Sequence, residues 1–293
     1  MSNESVSLPS VSVVCPVFNA EREILDFDRA LKRQKGVNLV EVKYVLTESD
    51  DHTEMMMKDA DIAFEKISKK EFSHSLTREK VAMLAKGDVI VFLTQDVVIR
   101  DNEFLNKLVA PIVAGAVQAT YARQKTKYNN IEKYTREHNY PAKSFVVSKD
   151  DLPRLGLKTF FFSDAAGAVD AATFRRLGGY DGKDLPISED MYLAYKIIMQ
   201  GGKIGYVAEA VVYHSHNFSL KQLYGRYKLT GKFMKANPEI AQYGINSAGS
   251  GMAKSVFKSA FKEGNMRVLT SYVPNMAARY MGMQRGKLSR RGR

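Results

Sequence analysis

The residues able to do chemistry stand where polar stretches break off apolar runs. Three breaks are prominent: Pro16-Val17-Phe18-Asn19, Thr47-Glu48-Ser49-Asp50-Asp51 and Thr94-Gln95-Asp96. They follow Val11–Cys15, Val40–Leu46 and the almost wholly apolar Asp88–Thr94. In an open α/β sheet, ligands bind beyond the carboxyl ends of the strands. If the three strands are parallel and adjacent, all three breaks open on one crevice. Two more clusters join them. Glu189-Asp190 starts a predicted helix just after Pro186, and Tyr213-His214-Ser215-His216 ends a further strand. Histidines at i and i+2 on a strand share a face.

The elements that must position these groups alternate along the chain. Val11–Cys15 is a β-branched run, and Pro16 is expected to end it. Ala20–Gln34 has helical spacing, with Ile24, Phe27 and Leu31 on one face. Further strands are predicted at Val40–Leu46, Ile62–Ile67, Asp88–Thr94 and Gly115–Tyr121, with helices at Leu76–Ala85 and Glu103–Val109. A run as apolar as Val-Ile-Val-Phe-Leu suits a strand buried on both faces. Strands separated by helix-length segments imply a doubly wound, mostly parallel sheet. In the second half, helices are predicted at Tyr128–His138, Ala171–Leu177, Glu189–Gln200 and Ser219–Ala236, and short strands at Lys203–Val207 and Ala210–Tyr213. Pro141 and Pro153 bracket a loop-like stretch, and Tyr243–Gly251 reads as a Gly/Ser/Asn linker.

Composition excludes several classes. Over 293 residues, 45% hydrophobic and 26% charged is ordinary for a globular protein and unlike a disordered or collagenous chain. The single cysteine, Cys15, rules out an intrachain disulfide and reads as a small buried hydrophobe suited to a reducing compartment. Met1–Ser10 carries no secretory signature, and no window reaches the ~20 apolar residues of a membrane span. Gly-x-Ser-x-Gly, the mark of a serine hydrolase elbow, is missing. A pyrophosphorylase would want a Gly-rich phosphate loop early in the chain, and residues 16–23 hold no glycine.

Several motifs, in order, resemble glycosyltransferase family 2, the inverting, nucleotide-sugar-dependent enzymes of the GT-A fold. Val11–Asn19 resembles the family's opening strand, and Ser49-Asp50-Asp51 its Ser-x-Asp. Gly178-Gly179-Tyr180-Asp181, then Ser188-Glu189-Asp190, resemble its Gly-Gly-aromatic-Asp and Glu-Asp pair. Phe72-Ser-His-Ser-Leu-Thr-Arg78, Phe92-Leu-Thr-Gln-Asp96 and Tyr121-Ala-Arg-Gln124 resemble the bacterial rhamnosyltransferase branch. The resemblance spans Pro9 to Lys235 and implies transfer of rhamnose from dTDP-rhamnose to a growing surface polysaccharide or lipid-linked glycan. A nucleotidyltransferase, a nucleotide-sugar-binding protein and a UDP-sugar enzyme are the alternatives. Two positions depart from the wider family. Thr94 replaces the first acid of the Asp-x-Asp metal motif, and Thr47-Glu48 replaces acids that grip the base.

The resemblance also implies roles. Asp96, with His214 and His216, would hold a divalent metal, Mg²⁺ or Mn²⁺, against the diphosphate leaving group. As a turn residue Asp96 is equally an ordinary cap, like Asp101 and Asn102, and the histidines equally hydrogen-bonded groups near the cleft. Asp190 is the expected general base, with Glu189 as the other candidate; both also suit a helix's first turn. Pro16, Phe18, Asn19, Glu48, Ser49 and Asp51 would form the donor site, joined by Gln95 and Arg123. His74 and Arg78, four apart on one helical face, would reach the diphosphate, unless Arg78 is a surface partner of Glu79.

Charge sets the last 40 residues apart. From Lys254 onward ten Lys or Arg face the single acid Glu263, a net +9 of the chain's +12. Lys254, Lys258 and Lys262 run beside Phe257 and Phe261, the pattern of an interfacial helix, or of one packed on the body. Pro274 is expected to break it. The division expected is a GT-A domain at 1–251 and a basic amphipathic extension at 252–293, the latter binding anionic membrane and not nucleic acid. The expected location is cytoplasmic, peripheral at the inner face of the cell membrane.

Overall fold

The computed structural model describes residues 8–244 and 246–289; Met1–Ser7 and the basic Arg290, Arg291 and Arg293 lie outside them. The chain runs β1 (Ser10–Val17), α1 (Ile24–Lys32), β2 (Asn38–Thr47), α2 (Thr53–Asp59), β3 (Phe64–Ile67), α3 (His74–Met83), β4 (Val89–Leu93), α4 (Phe104–Val113) and β5 (Ala119–Lys125). There follow α5 (Ile131–Asn139), β6 (Phe145–Val147), α6 (Leu152–Leu155), β7 (Ala166–Asp170), α7 (Ala171–Arg176), α8 (Glu189–Met199) and β8 (Ile204–Tyr213). The chain ends with α9 (Leu220–Ala236), α10 (Pro238–Ala241), α11 (Asn246–Lys262) and α12 (Met266–Leu288).

One eight-stranded sheet is ordered β3-β2-β1-β4-β7-β5-β8-β6. Strands β3, β2, β1 and β4 are parallel, as are β5 and β8; β7 runs antiparallel to both β4 and β5, and β6 antiparallel to β8. The apolar β4 divides between two cores. Val91 and Leu93 join Phe27, Leu31, Phe104 and Leu108 on one side, while Ile90 and Phe92 join Val81, Phe174, Leu193 and Ile197 on the other. Burial on both faces is why β4 lacks alternation.

Several expected boundaries move. Pro16 does not end β1, which runs to Val17; pairing with β4 stops at Val14↔Phe92, so β4 makes no call on the missing Pro16 N–H. The predicted strand Gly115–Tyr121 begins later and reaches Lys125, because Gly115 turns the chain after α4. The two short strands after Lys203 are one, β8, whose partner in register jumps from Val207 to Val211 between Ala122 and Arg123. The expected linker is largely the start of α11, drawn into helix by Met252, Val256 and Ala260 packing on Ile131 and Tyr134 of α5. Pro274 lies inside α12, which packing on α9 carries past it.

That packing depends on glycines. A Cβ at Gly286 would collide with the Lys228 carbonyl oxygen, one at Gly282 with that of Tyr224, and one at Gly231 with that of Met283. The two backbones are in contact, leaving no room for a side chain. Gly286→Val should therefore lower stability by the ~1–3 kcal/mol of an overpacked site, a thermal shift of roughly 2–12 °C for a chain this size. Gly225→Ala on α9, with nothing near the added carbon, is expected to leave the melt unchanged or raise it. Circular-dichroism melts of the two variants distinguish these outcomes.

Candidate active site

The turn after β4 is drawn toward the end of β8. Val98 and Tyr213 exchange backbone hydrogen bonds at 2.9 and 3.0 Å. This brings Asp96 to His214 (Nε2–Oδ2 3.4 Å) and His216 (Nδ1–Oδ2 3.7 Å). The two imidazole nitrogens and the carboxylate oxygen lie within 4.8 Å of one another. Asp101 accepts from Glu103 N at 2.9 Å in the turn leading into α4, and Asp96, well before that turn, is not the helix's cap.

The donor set fits a divalent cation. His214 Nδ1 lies 2.9 Å from Gln124 Oε1, an acceptor when Nδ1 carries the proton, which leaves the Nε2 lone pair toward Asp96. Burial and neighbouring His214 push His216 down to about 4, so its ring is neutral and able to ligate near neutral pH. Burial pushes the Asp96 carboxyl up, but while Nε2 carries a proton the hydrogen bond and charge of His214 outweigh it and hold the group well below the carboxylate range; a cation would take that proton's place. Two imidazoles and one carboxylate leave positions for water or phosphate oxygens.

A second cluster lies along the same cleft, of about 630 Å³, which His74, Arg78, Gln95, Asp96, Glu189, Asp190, His214 and His216 all line. Arg78 is 4% exposed and therefore no surface partner of Glu79. Its Nη1 lies 3.5 Å from Glu189 and donates to the His74 carbonyl at 2.8 Å, while Nε has no partner among the described residues. His74 Nδ1 is 3.8 Å from the same Glu189 oxygen, so the i, i+4 pair does share a face. Ser73 caps α3 and also donates to Asp184; Ser75 donates to the Lys183 carbonyl and accepts from Leu185 N. Glu79 accepts from the Tyr180 and Gly182 amides. Gly179, at φ +54°, has Glu79 where a Cβ would stand. The motif at 72–79 is thus a brace for the loop leading into α8.

Asp164, which nothing in the sequence singled out, completes this cluster. It is buried, accepts from Tyr180 Oη at 2.6 Å, and has an unpartnered Oδ1. Burial carries it up to about 7, against the pull of Arg78. Burial likewise raises Asp190 well above the carboxylate range, with the charges of Glu189 and Asp164 adding to it.

The other predicted residues lie outside this cleft. Asn19, in the left-handed region at φ +48°, locks the loops after β1 and β2: its N–H donates to Ser49 Oγ (3.0 Å), and its Oδ1 accepts from Asp50 N (2.9 Å). Phe18 is exposed and connected to the cleft through Gln95 Nε2, which donates to its carbonyl at 3.1 Å. Glu48 is exposed and Pro16 buried within β1. Asp51 is engaged by Thr53 and the Glu21 amide, a local role that a Ser-x-Asp spacing does not reveal. Arg123 lines an adjoining pocket. The far wall of the cleft, Arg226 and Tyr227 of α9 and Arg279 of α12, was not foreseen.

A mixed sheet with this cleft at its strand ends and an Asp/His cluster in it defines a glycosyltransferase of the GT-A fold. Residues 12–178 match the family described as glycosyl transferase family 2, and the chain belongs to that family. The O-antigen chain rhamnosyltransferase RfbN of Salmonella typhimurium is 31% identical over 288 residues, 94% of this chain and 89% of that protein. The O-antigen chain rhamnosyltransferase WbaN of Salmonella anatum is 33% identical over 226 residues, covering 75% and 71%. Among solved structures, the mannosyltransferase PcManGT of Pyrobaculum calidifontis, in complex with GDP-Man and Mn²⁺, has a TM-score of 0.65 at 16% identity, covering 96% of this chain and 88% of that one.

Arg78→Met leaves the carboxyls around it without a buried counter-ion. The expected cost at pH 8 is about 3–5 kcal/mol in urea unfolding. Carboxyl pKa values rise in the variant's folded state, so the cost shrinks as pH falls and protonation removes the unpaired charge. A penalty equal at pH 5 and pH 8 would show that Arg78 does not compensate them.

Proposed function

We propose that this glycosyltransferase moves rhamnose from dTDP-rhamnose to a growing cell-surface glycan, with inversion and with a divalent metal. The observation that carries the chemistry is one cleft lined by both the Asp96/His214/His216 cluster and a carboxylate of raised pKa, Asp190. The rhamnosyl donor rests on the two O-antigen relatives.

The acceptor hydroxyl oxygen forms a bond to the sugar's anomeric carbon as the bond to the diphosphate oxygen breaks. Asp190 takes the hydroxyl proton, and nucleoside diphosphate leaves with the bonding pair. Raised basicity suits this step, since a proton acceptor works best with a pKa near the working pH. Glu189, faced by Arg78 and His74, stays in the ion-pair network and positions Asp190 beside it. Asp96, His214 and His216 would hold Mg²⁺ or Mn²⁺, which when bound neutralises charge on the diphosphate. The loops carrying Phe18, Asn19, Glu48 and Ser49 would take the nucleoside.

Helices α11 and α12 present a second surface. Phe257, Phe261, Met266 and Val273 are exposed apolar groups, with Lys254, Lys258, Lys262 and Arg267 exposed around them. Phe257 and Phe261 stack at 6.2 Å. Among the described residues no helix is long and apolar enough to cross a membrane. Cations ringing exposed aromatics suit an anionic bilayer, where each basic residue contributes ~1 kcal/mol and the inserted rings add a component that salt does not screen.

Three measurements test this reading. A screen of dTDP-rhamnose, UDP-sugars and GDP-mannose should show turnover with dTDP-rhamnose, lost in EDTA and restored by Mn²⁺; preference for another donor, or full activity in EDTA, overturns it. Asp190→Asn should lower kcat by ~10²–10⁴ with little change in donor KM. The wild-type acid limb should fall above the ordinary carboxylate range, activity being lost as Asp190 protonates. Phosphatidylglycerol vesicles should co-sediment the full chain, with a fraction retained at high salt. That fraction should disappear in Phe257→Ala plus Phe261→Ala; retention equal to wild type would exclude insertion of these rings.

A further inference from the structure

Beside the catalytic cleft lies a second cavity of about 410 Å³ with a pronounced charge. Arg123, Lys125, Lys127, Lys133 and Arg136 line it, against one acid, Glu137. Lys133 is paired with Glu263, and Arg136 lies 3.8 Å from Glu132. Arg123, Lys125 and Lys127 form no ion pair among the described residues, although each cation in this space repels the next. Five cations around a cavity with one acid form a site for a multivalent anion.

Position narrows the anion's identity. The cavity shares Gln124, Arg136 and Tyr140 with the cleft, so its occupant reaches the reaction centre. The expected nucleoside loops follow β1 and β2, and the cavity follows β5, three strands across the sheet from β1. At ~4.8 Å per strand that is about 14 Å, so an anion here is on the side away from the nucleoside. On its other side the cavity meets the α11–α12 turn. Lys133 bonds Glu263, and Asn265 Nδ2 donates to Asn129, itself a lining residue, at 3.3 Å. That turn joins the two helices carrying the exposed aromatic and basic face.

We propose that this cavity binds the phosphate or diphosphate that joins the glycan acceptor to its lipid. The lipid end then points to the face formed by α11 and α12, and the sugar end toward Asp190. This rests on the glycosyltransferase reading and adds a subsite for the charged end of the acceptor. The acceptor's charge, and not its sugars alone, would determine where the hydroxyl stands.

The test uses the full-length enzyme, metal-loaded, and Lys125→Ala plus Lys127→Ala, two exposed positions whose loss should not unfold the chain. Two acceptors carry the same glycan, one on a short-chain prenyl diphosphate, the other on a neutral alkyl aglycone. Wild type should prefer the diphosphate acceptor by about tenfold or more in KM, the effect of one charge-assisted contact. The variant should lose that preference while donor KM stays constant. Inorganic diphosphate should compete with the charged acceptor in wild type and about tenfold less well in the variant. Equal KM for both acceptors in wild type would overturn the proposal, as would a variant with raised donor KM, which would assign the cavity to the donor's own diphosphate. Donor hydrolysis without acceptor reports the glycosyltransferase reading separately.

Discussion

A buried guanidinium organises this site. Isolated in a protein interior, Arg78 would carry a desolvation cost of several kcal/mol, so its surroundings must supply negative charge. Glu189, the first residue of α8, supplies it at 3.5 Å and thereby docks α8 against α3. Asp164 and Asp190 stand in the same field. Burial raises both of them, and the charge of Glu189 adds to that rise against the pull of Arg78. Asp190 is raised first by its burial at the start of α8 and then by the charges of Glu189 and Asp164 beside it. His74 sits in the network too, its own basicity lowered by burial despite Glu189.

The metal-type cluster depends on topology instead. Asp96 and His214 are 118 positions apart in sequence, and nothing local joins them. They meet because β8 lies beside β5 and because the turn after β4 reaches across to pair with Tyr213. Gln124 of β5 then joins this cluster to the adjoining basic cavity, its Oε1 lying against both His214 Nδ1 and Arg136 Nη1. The Gln in Tyr121-Ala-Arg-Gln124 is the buried member of its pair, and the Arg faces the adjoining cavity.

What was legible in the sequence follows from burial. β1 and β4 could be read because strands covered on both faces are largely apolar, and the positions of Asp96, after β4, and of Glu189 and Asp190, at the start of α8, because those element boundaries could be read. β7 was not, since Ala-Gly-Ala-Val carries a single β-branched residue and no alternation, and its antiparallel insertion between β4 and β5 has no local signature. Asp164 lies just before that strand and was lost with it. The start of α11 was hidden by Gly and Ser, whose weak helical propensity is overridden by Met252, Val256 and Ala260 packing on α5. The glycines of α12 are weak helix formers on their own, and in space they are what lets α12 reach α9.

That contact ties the C-terminal helices to the wall of the cleft as well as to an exposed apolar face. Arg279 of α12 is buried, donates to Tyr227 Oη at 2.7 Å, lies 3.3 Å from Glu132 and is oriented by Asn275, one turn earlier. Together these residues place one wall of the cleft on α5, α9 and α12. The helix bearing that wall also bears exposed Val273 and Tyr280 on its outer side. A force that seats the outer side on a surface therefore acts through a single helix on the groups lining the cleft. With α9 and α12 in backbone contact, the helix has little freedom to move without its neighbour. On the proposed membrane reading, the arrangement would hold cleft and docking face in one fixed relation, with the acceptor anchored and the donor free in solution.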